Sequence, residues 1–139
     1  MKPITHSTNP RKASVALELL LVLPIGVVIS LAIVEFSMIL MVRQQLSAAS
    51  REGARVASVG GTELEIDLAV RTFLGTGTLS KAKVTSVLTD PGGTPIPSGM
   101  PVQVVVSLPT ATAVPDMLAP FGFSIADDIV YARTIMRKE

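Results

Sequence analysis

The chain of 139 residues contains no cysteine and no tryptophan, one tyrosine and a single histidine, His6. Absence of cysteine excludes disulfides, thiolate metal sites and thiol nucleophiles, and it leaves the redox compartment open, because oxidising and reducing spaces both tolerate such chains. With its one imidazole confined to a polar N-terminal stretch, the remainder cannot build the usual zinc sites, nor the Ser-His and Cys-His pairs of nucleophilic catalysis. The sequence therefore reads as non-enzymatic, with no cofactor, no metal and no small-molecule substrate. Charge is scarce too. Only 17% of residues are Asp, Glu, Lys or Arg, the formal net charge is +1, and no basic stripe or acidic tail forms, so nucleic acid is not a partner.

What the chain does have is apolar residues, at 48%, with only 4% aromatic, more than an ordinary soluble domain of this size carries. The excess is concentrated in one place. Leu19 to Val34 reads LLLVLPIGVVISLAIV without a charge, and after Glu35 the run continues as FSMILMV to Val42. At about 1.5 Å per residue a helix over Leu19 to Val42 covers roughly 36 Å, against about 30 Å of hydrocarbon, so it spans a bilayer with room to tilt. A cleaved secretory signal is the main rival, since Lys2, Arg11 and Lys12 form a basic leader. Such signals have an apolar region of only about 7–15 residues before a small-residue site, and no A-x-A element closes a short run here. Arg43, Arg51 and Arg55 beyond the span nearly balance the positive charge before it. The short leader and the larger C-terminal part favour the N-terminus inside and the domain outside.

Two acids interrupt the apolar run. Glu18 stands at its inner edge and Glu35 lies within it, where an ionised carboxylate is costly and points to function. Each also has a local explanation. Glu18 can reach headgroups and the positive end of the helix dipole, and Glu35 can reach water or pair with Arg43 on a tilted helix. Pro24 predicts a helix kink near Leu20 to Pro24, softened further by Gly26, although spanning helices tolerate both residues.

Past Val42 the residues stay helix-compatible as far as Gly60-Gly61, with Leu46, Ala49, Gly53, Val56 and Ala57 on one side, so one helix is expected from Ser14 to Val59. Thr62-Glu-Leu-Glu is a capping box that opens a second helix, with Ile66, Val70, Phe73 and Leu74 as its apolar stripe and Gly75 to Gly77 as its end. The acids Glu63, Glu65 and Asp67 suit the first turns of that helix rather than a metal. Alternation at Ala82, Val84, Ser86 and Leu88, and again at Val102, Val104, Val106 and Leu108, predicts two strands; Ile129 to Arg137 predicts a third. Asp90-Pro91-Gly92-Gly93 begins the turn between the first two, lengthened into a loop by Thr94 to Pro101. Pro109 to Gly122 reads as an irregular loop with one helical turn at Pro115 to Leu118. The expected fold class is α+β: a long N-terminal transmembrane helix that extends out of the membrane, a short second helix, and a small antiparallel sheet of about three strands packed on it. The divisions are a basic leader at 1–13, the transmembrane helix at 14–42, its extension at 43–61 and a small outer domain at 62–139. The outer charges cancel, at nine of each sign from Arg43 onward, and the core is thin enough to need the long helix or neighbouring subunits as cover.

A basic leader, an apolar helix with an acid at its start and a small outer sheet domain together resemble the type IV pilin class. Within it the chain resembles the TadE-like pseudopilins of tight-adherence pilus systems. The likeness is carried by ASVALELLLVLP (Ala13 to Pro24), IVEF (Ile33 to Phe36), VRQQL (Val42 to Leu46) and, most specifically, AASREGARVAS (Ala48 to Ser58), with a terminal strand closing in ARTIMRKE (Ala132 to Glu139). The resemblance implies a prepilin peptidase cut between Ala13 and Ser14, leaving Glu18 as fifth residue of the mature chain. Alanine stands where that motif usually has glycine, and Leu19 where a tyrosine often follows the glutamate. It also implies that Glu18 of one subunit neutralises the new amine on Ser14 of another, setting the register between packed helices. If the leader is retained, the protein acts instead as a membrane-bound assembly or priming component. The implied partners are the lipid bilayer, other pseudopilins or pilus-assembly platform proteins, and the peptidase, at the cytoplasmic membrane of a bacterium. The alternatives are a signal-anchored envelope protein unrelated to pili, binding through its sheet edge and its Pro109 to Gly122 loop, and a secreted hydrolase, for which no nucleophile and base can be named.

Overall fold

The computed structural model describes residues 10–89 and 93–139, with side chains from Ser14 onward. Helix α1 runs Pro10–Ser58 without a break, including the turn that holds Pro24. It thus already includes Pro10 to Ala13, ahead of the expected start at Ser14. Proline fits the first turn of a helix because the amide it lacks would have no partner there. The rest of the basic leader, residues 1–9 with Lys2 and His6, lies outside the described residues, as do the side chains of Arg11 and Lys12. At the other end the helix stops where Gly60 takes φ +87°. The Gly61 amide donates to the Val56 carbonyl at 3.0 Å and the Gly60 amide to the Ala57 carbonyl at 3.1 Å, which is a Schellman closure. A Cβ at Gly61 would lie 2.8 Å from the Val56 carbonyl oxygen, so both glycines of the pair are needed to end the helix in this way.

Helix α2, Glu63–Leu74, begins at the capping box read from the sequence: the Thr62 amide donates to Glu65 Oε2 at 2.7 Å and the Glu65 amide to Thr62 Oγ1 at 3.4 Å. Ile66 and Val70 are fully buried, but Phe73 is exposed, so the apolar stripe is narrower than the periodicity implied. The Thr62 amide and hydroxyl hold the Glu65 carboxyl below its ordinary value of 4.5, and Arg55 does the same for Glu52. A depressed folded value means that these contributions are complete above the ordinary carboxylate value and are lost as pH falls from there through the depressed folded value. Thermal unfolding of the detergent-solubilised chain is therefore expected to move to lower temperature on acidification. Glu65→Gln keeps the capping acceptor but cannot titrate, so it should shallow that acid slope; an unchanged slope would locate its source elsewhere.

Strands β1 (Lys83–Val87), β2 (Pro101–Pro109) and β3 (Ile129–Arg137) form one antiparallel sheet in sequence order. The inner face of β2 is Val102, Val104, Val106 and Leu108, all fully buried, while the residues between them are half-buried. In register they meet Met136, Thr134, Ala132 and Val130 of β3. This row packs on the upper half of α1, as the alternation predicted. The start of the first connection, Asp90 to Gly92, lies outside the described residues. Its remainder folds back: the Ile96 amide donates to the Leu88 carbonyl at 2.9 Å, and Gly99 and Met100 exchange backbone bonds with Lys138.

The Pro109 to Gly122 segment corrects the sequence reading in detail. The single helical turn, α3, lies at Thr110–Ala113, and a 3-10 turn follows at Ala119–Phe121; neither coincides with Pro115 to Leu118. Pro115 disfavours helical backbone at Val114, which is extended, so helix ends there rather than beginning. Another 3-10 turn, Thr78–Lys81, was not foreseen.

Candidate functional site

The sheet and α2 rest on one stripe of α1. Val42, Leu46, Ala49, Ser50, Gly53, Ala54 and Ala57 are buried, at spacings that keep them on one side of a 3.6-residue helix. Gly53 marks the tightest approach: a Cβ there would lie 2.7 Å from Val70 Cγ2 and 3.2 Å from Val104 Cγ1. The lone hydroxyl pair on this stripe is satisfied, with Ser50 Oγ 2.7 Å from Thr134 Oγ1 and also donating to the Ser47 carbonyl. The stripe thus joins α1 to α2, β2 and β3 at once. Ser50 and Thr134 were not singled out in the sequence, because a small hydroxyl residue mid-helix carries no signal until its partner strand is known.

Extending the stripe downward by one and two turns from Val42 reaches Ile39 and then Glu35. Glu35 is only 2% exposed, and neither carboxylate oxygen has a hydrogen-bond partner among the described residues. This overturns the expectation that it reaches water or pairs with Arg43. Eight residues separate the two by about 12 Å along the axis, and Glu35 faces the head rather than the outside. A buried carboxyl without a donor is costly, so its position is a feature to be explained. Thr110 Oγ1, also buried and without a partner among the described residues, lines a cleft with Ile39, Arg43 and Tyr131 just above.

Below the head, most large apolar side chains from Val15 to Met41 are exposed. Ser30 and Ser37 lie among them, and each donates its hydroxyl to the carbonyl four residues back, Gly26 and Ile33, at 2.8 and 2.7 Å, so neither needs a partner in an apolar medium. Glu18 is exposed in this region and has no partner among the described residues. Ser14 is exposed and helical, so the bond between Ala13 and Ser14 lies inside α1. Both ion pairs seen in the described residues, Arg55 with Glu52 and Arg71 with Asp67, are 2.6 Å surface contacts in the head. The acids Glu65 and Asp67 of α2 are thereby occupied in capping and pairing. The structure does not bring Glu18, Pro24 and Glu35 together; they are stations along one helix.

Among the described residues one helix is long and apolar enough to cross a membrane, Ser14–Ser58, with a mean hydropathy of 2.7 over its most apolar window and none of that window buried. A single exposed apolar helix that runs unbroken into the core of a small α+β head fits a single-pass membrane anchor. Residues 13–55 match the family described as TadE-like protein, and the match supports a TadE-like protein. It takes in Glu18, Glu35 and Gly53 and stops before α2 and the sheet. No curated protein and no solved structure matches the chain. Together the family match and the candidate membrane helix suggest a membrane-anchored, pilus-related protein.

Proposed function

We propose that this chain is a TadE-like pseudopilin acting in pilus assembly or tight-adherence secretion, held in a bacterial cytoplasmic membrane with its N-terminus cytoplasmic and its head outside. The observation that carries the reading is the TadE-like match lying over an exposed apolar helix whose early turns hold an acid, Glu18, with no partner among the described residues. Cleavage between Ala13 and Ser14 would create an amine next to the membrane. Glu18 of a neighbouring subunit could neutralise it, since paired charges cost far less than isolated ones in low dielectric, and the pair would then fix the axial register of packed helices. Pro24 and Gly26, about two turns further on, give the helix a soft point where such packing can bend it. Glu35 is a second acid in the apolar run, covered by the head, so a donor from a neighbouring helix could reach it only if the head shifted. No catalytic role is assigned to any residue.

Glu18→Ala is expected to lower pilus assembly with insertion and abundance unchanged; normal piliation would remove the register role. Intact mass of the membrane-extracted protein, with and without prepilin peptidase, should show loss of residues 1 to 13 only when the enzyme is present. Retention of the leader in both samples would make the protein a membrane-bound assembly component instead of a processed pilin. A second reading, a signal-anchored envelope binding protein unrelated to pili, draws on an open apolar groove between the end of α1 and α2, lined by Val56, Val59, Leu68 and Phe73. Pilus loss on deletion of the gene would argue against it.

A further inference from the structure

At the membrane end of the head a loop projects whose base is anchored in the core by Val114, with Ala113 and Ile125 packed against it. It leaves β2 at Thr110 and returns to β3 at Asp128, closed at its base by the Thr110 amide on the Asp128 carbonyl at 2.9 Å. Both residues line the cleft with Ile39 and Arg43, so the base of the loop stands level with the last turn of the apolar run. From that level β3 climbs away from the span: its far end is tied to the top of α1, where the Glu139 amide donates to the Ser58 carbonyl at 2.8 Å. The sheet therefore occupies the upper side of the cleft and the loop the lower.

The tip of this loop is apolar and uncovered. Phe121 and Phe123 are 48% and 65% exposed in the stretch LAPFGFSIA, Leu118 to Ala126. The polar groups of this stretch are bonded within the loop, while Asp127 and Asp128 at its return to β3 are exposed. The Asp116 carboxylate accepts the Ala119 amide at 3.1 Å, the Ser124 hydroxyl at 2.6 Å and the Ile125 amide at 3.3 Å. A segment closed on itself in this way enters an anhydrous medium at far lower cost than one whose backbone groups depend on water. Beside its base stand exposed Tyr131, the chain's one tyrosine, and exposed Arg43, the aromatic and the cation that suit a headgroup layer. On α1 at the same level Leu40 and Met41 are also exposed, so the apolar surface of the span is continued by the loop.

We propose that the Thr110 to Asp128 loop is a lipid-contacting surface. Phe121 and Phe123 enter the outer interface of the bilayer that holds α1, with Arg43 and Tyr131 at the headgroups, and this second foothold fixes the tilt of the head against the membrane. The proposal rests on α1 being a membrane anchor, and the test separates the two. The chain has no tryptophan, so a single introduced indole reports its own depth. Full-length Phe121→Trp, Phe123→Trp, Leu23→Trp in the span and Leu64→Trp on the distal helix α2 are reconstituted in phosphatidylcholine vesicles containing lipids brominated on their acyl chains. Quenching of the two loop indoles is expected to be several-fold stronger than at Leu64→Trp and to approach that at Leu23→Trp, with blue-shifted emission. Either loop variant suffices if the other fails to fold. Strong quenching at Leu23→Trp with both loop indoles behaving like Leu64→Trp would overturn the loop proposal and leave the anchor standing. No quenching at Leu23→Trp would overturn the anchor, and the loop proposal with it.

Discussion

Gly53→Val is expected to destabilise the head by about 3 kcal/mol or more, a large share of the stability of a domain this size. The position leaves no room for a side chain. Its first added carbon alone would meet Val70 Cγ2 at 2.7 Å, and Val70 is β-branched and fully buried, so it cannot swing aside. Gly53→Ala is a milder test with two opposing terms. Alanine gains about 1 kcal/mol of helix propensity over glycine, and the clash costs about 1–3 kcal/mol, so a small net loss follows. Adding Val70→Ala removes the atom in the way and should make the alanine at 53 less damaging than it is alone. Denaturant unfolding of the four chains in detergent measures the cycle. A Gly53→Val chain as stable as the parent would mean that α2 and β2 do not close on α1 as they do here.

Glu35→Leu should have the opposite sign. Removing a buried carboxyl that no donor reaches is expected to stabilise the isolated chain by roughly 1–3 kcal/mol, because the desolvation of the acid is no longer borne and the apolar stripe becomes continuous. If assembly shifts the head and releases the acid to a neighbouring subunit, the same variant should lower pilus assembly. Greater stability together with less assembly is a combination that a merely structural residue does not produce. Unfolding in detergent and counts of piliated cells read the two effects separately. A loss of stability in the purified, monomeric chain would show that a donor within the chain reaches the carboxyl.

The elements were legible in the sequence wherever a local rule decides them. The capping box at Thr62 and Glu65, the alternation over Val102 to Leu108 and the uninterrupted helical composition up to Gly60-Gly61 each depend on neighbours within a few residues, and each appears as read. Local rules failed where contacts at long range chose between options. Phe73 sits on the expected stripe of α2, yet Ile66 and Val70 are the residues that close on α1 at Gly53, with Leu74 partly buried against the core and Phe73 left exposed. In the Pro109 to Gly122 segment the prolines announced a loop, but Thr110 bonding to Asp128 across eighteen residues decided which turn became helical.

The sites divide along the same line. Composition and one apolar run determined that the chain carries a candidate membrane helix, because transfer of the nineteen apolar side chains between Leu19 and Val42 from water depends on their number and not on their arrangement. The TadE-like segment, with Glu18 near its start, was likewise visible as a string of residues. Only the tertiary structure decided the state of Glu35. From the helix alone it has water and Arg43 within plausible reach, and it becomes a buried acid because the stripe that continues from Leu46 and Val42 turns it under the head. The same packing left Phe121 and Phe123 uncovered at the membrane end. Burial is a property of what lies opposite a residue, and the fold rather than the neighbouring sequence sets that surface.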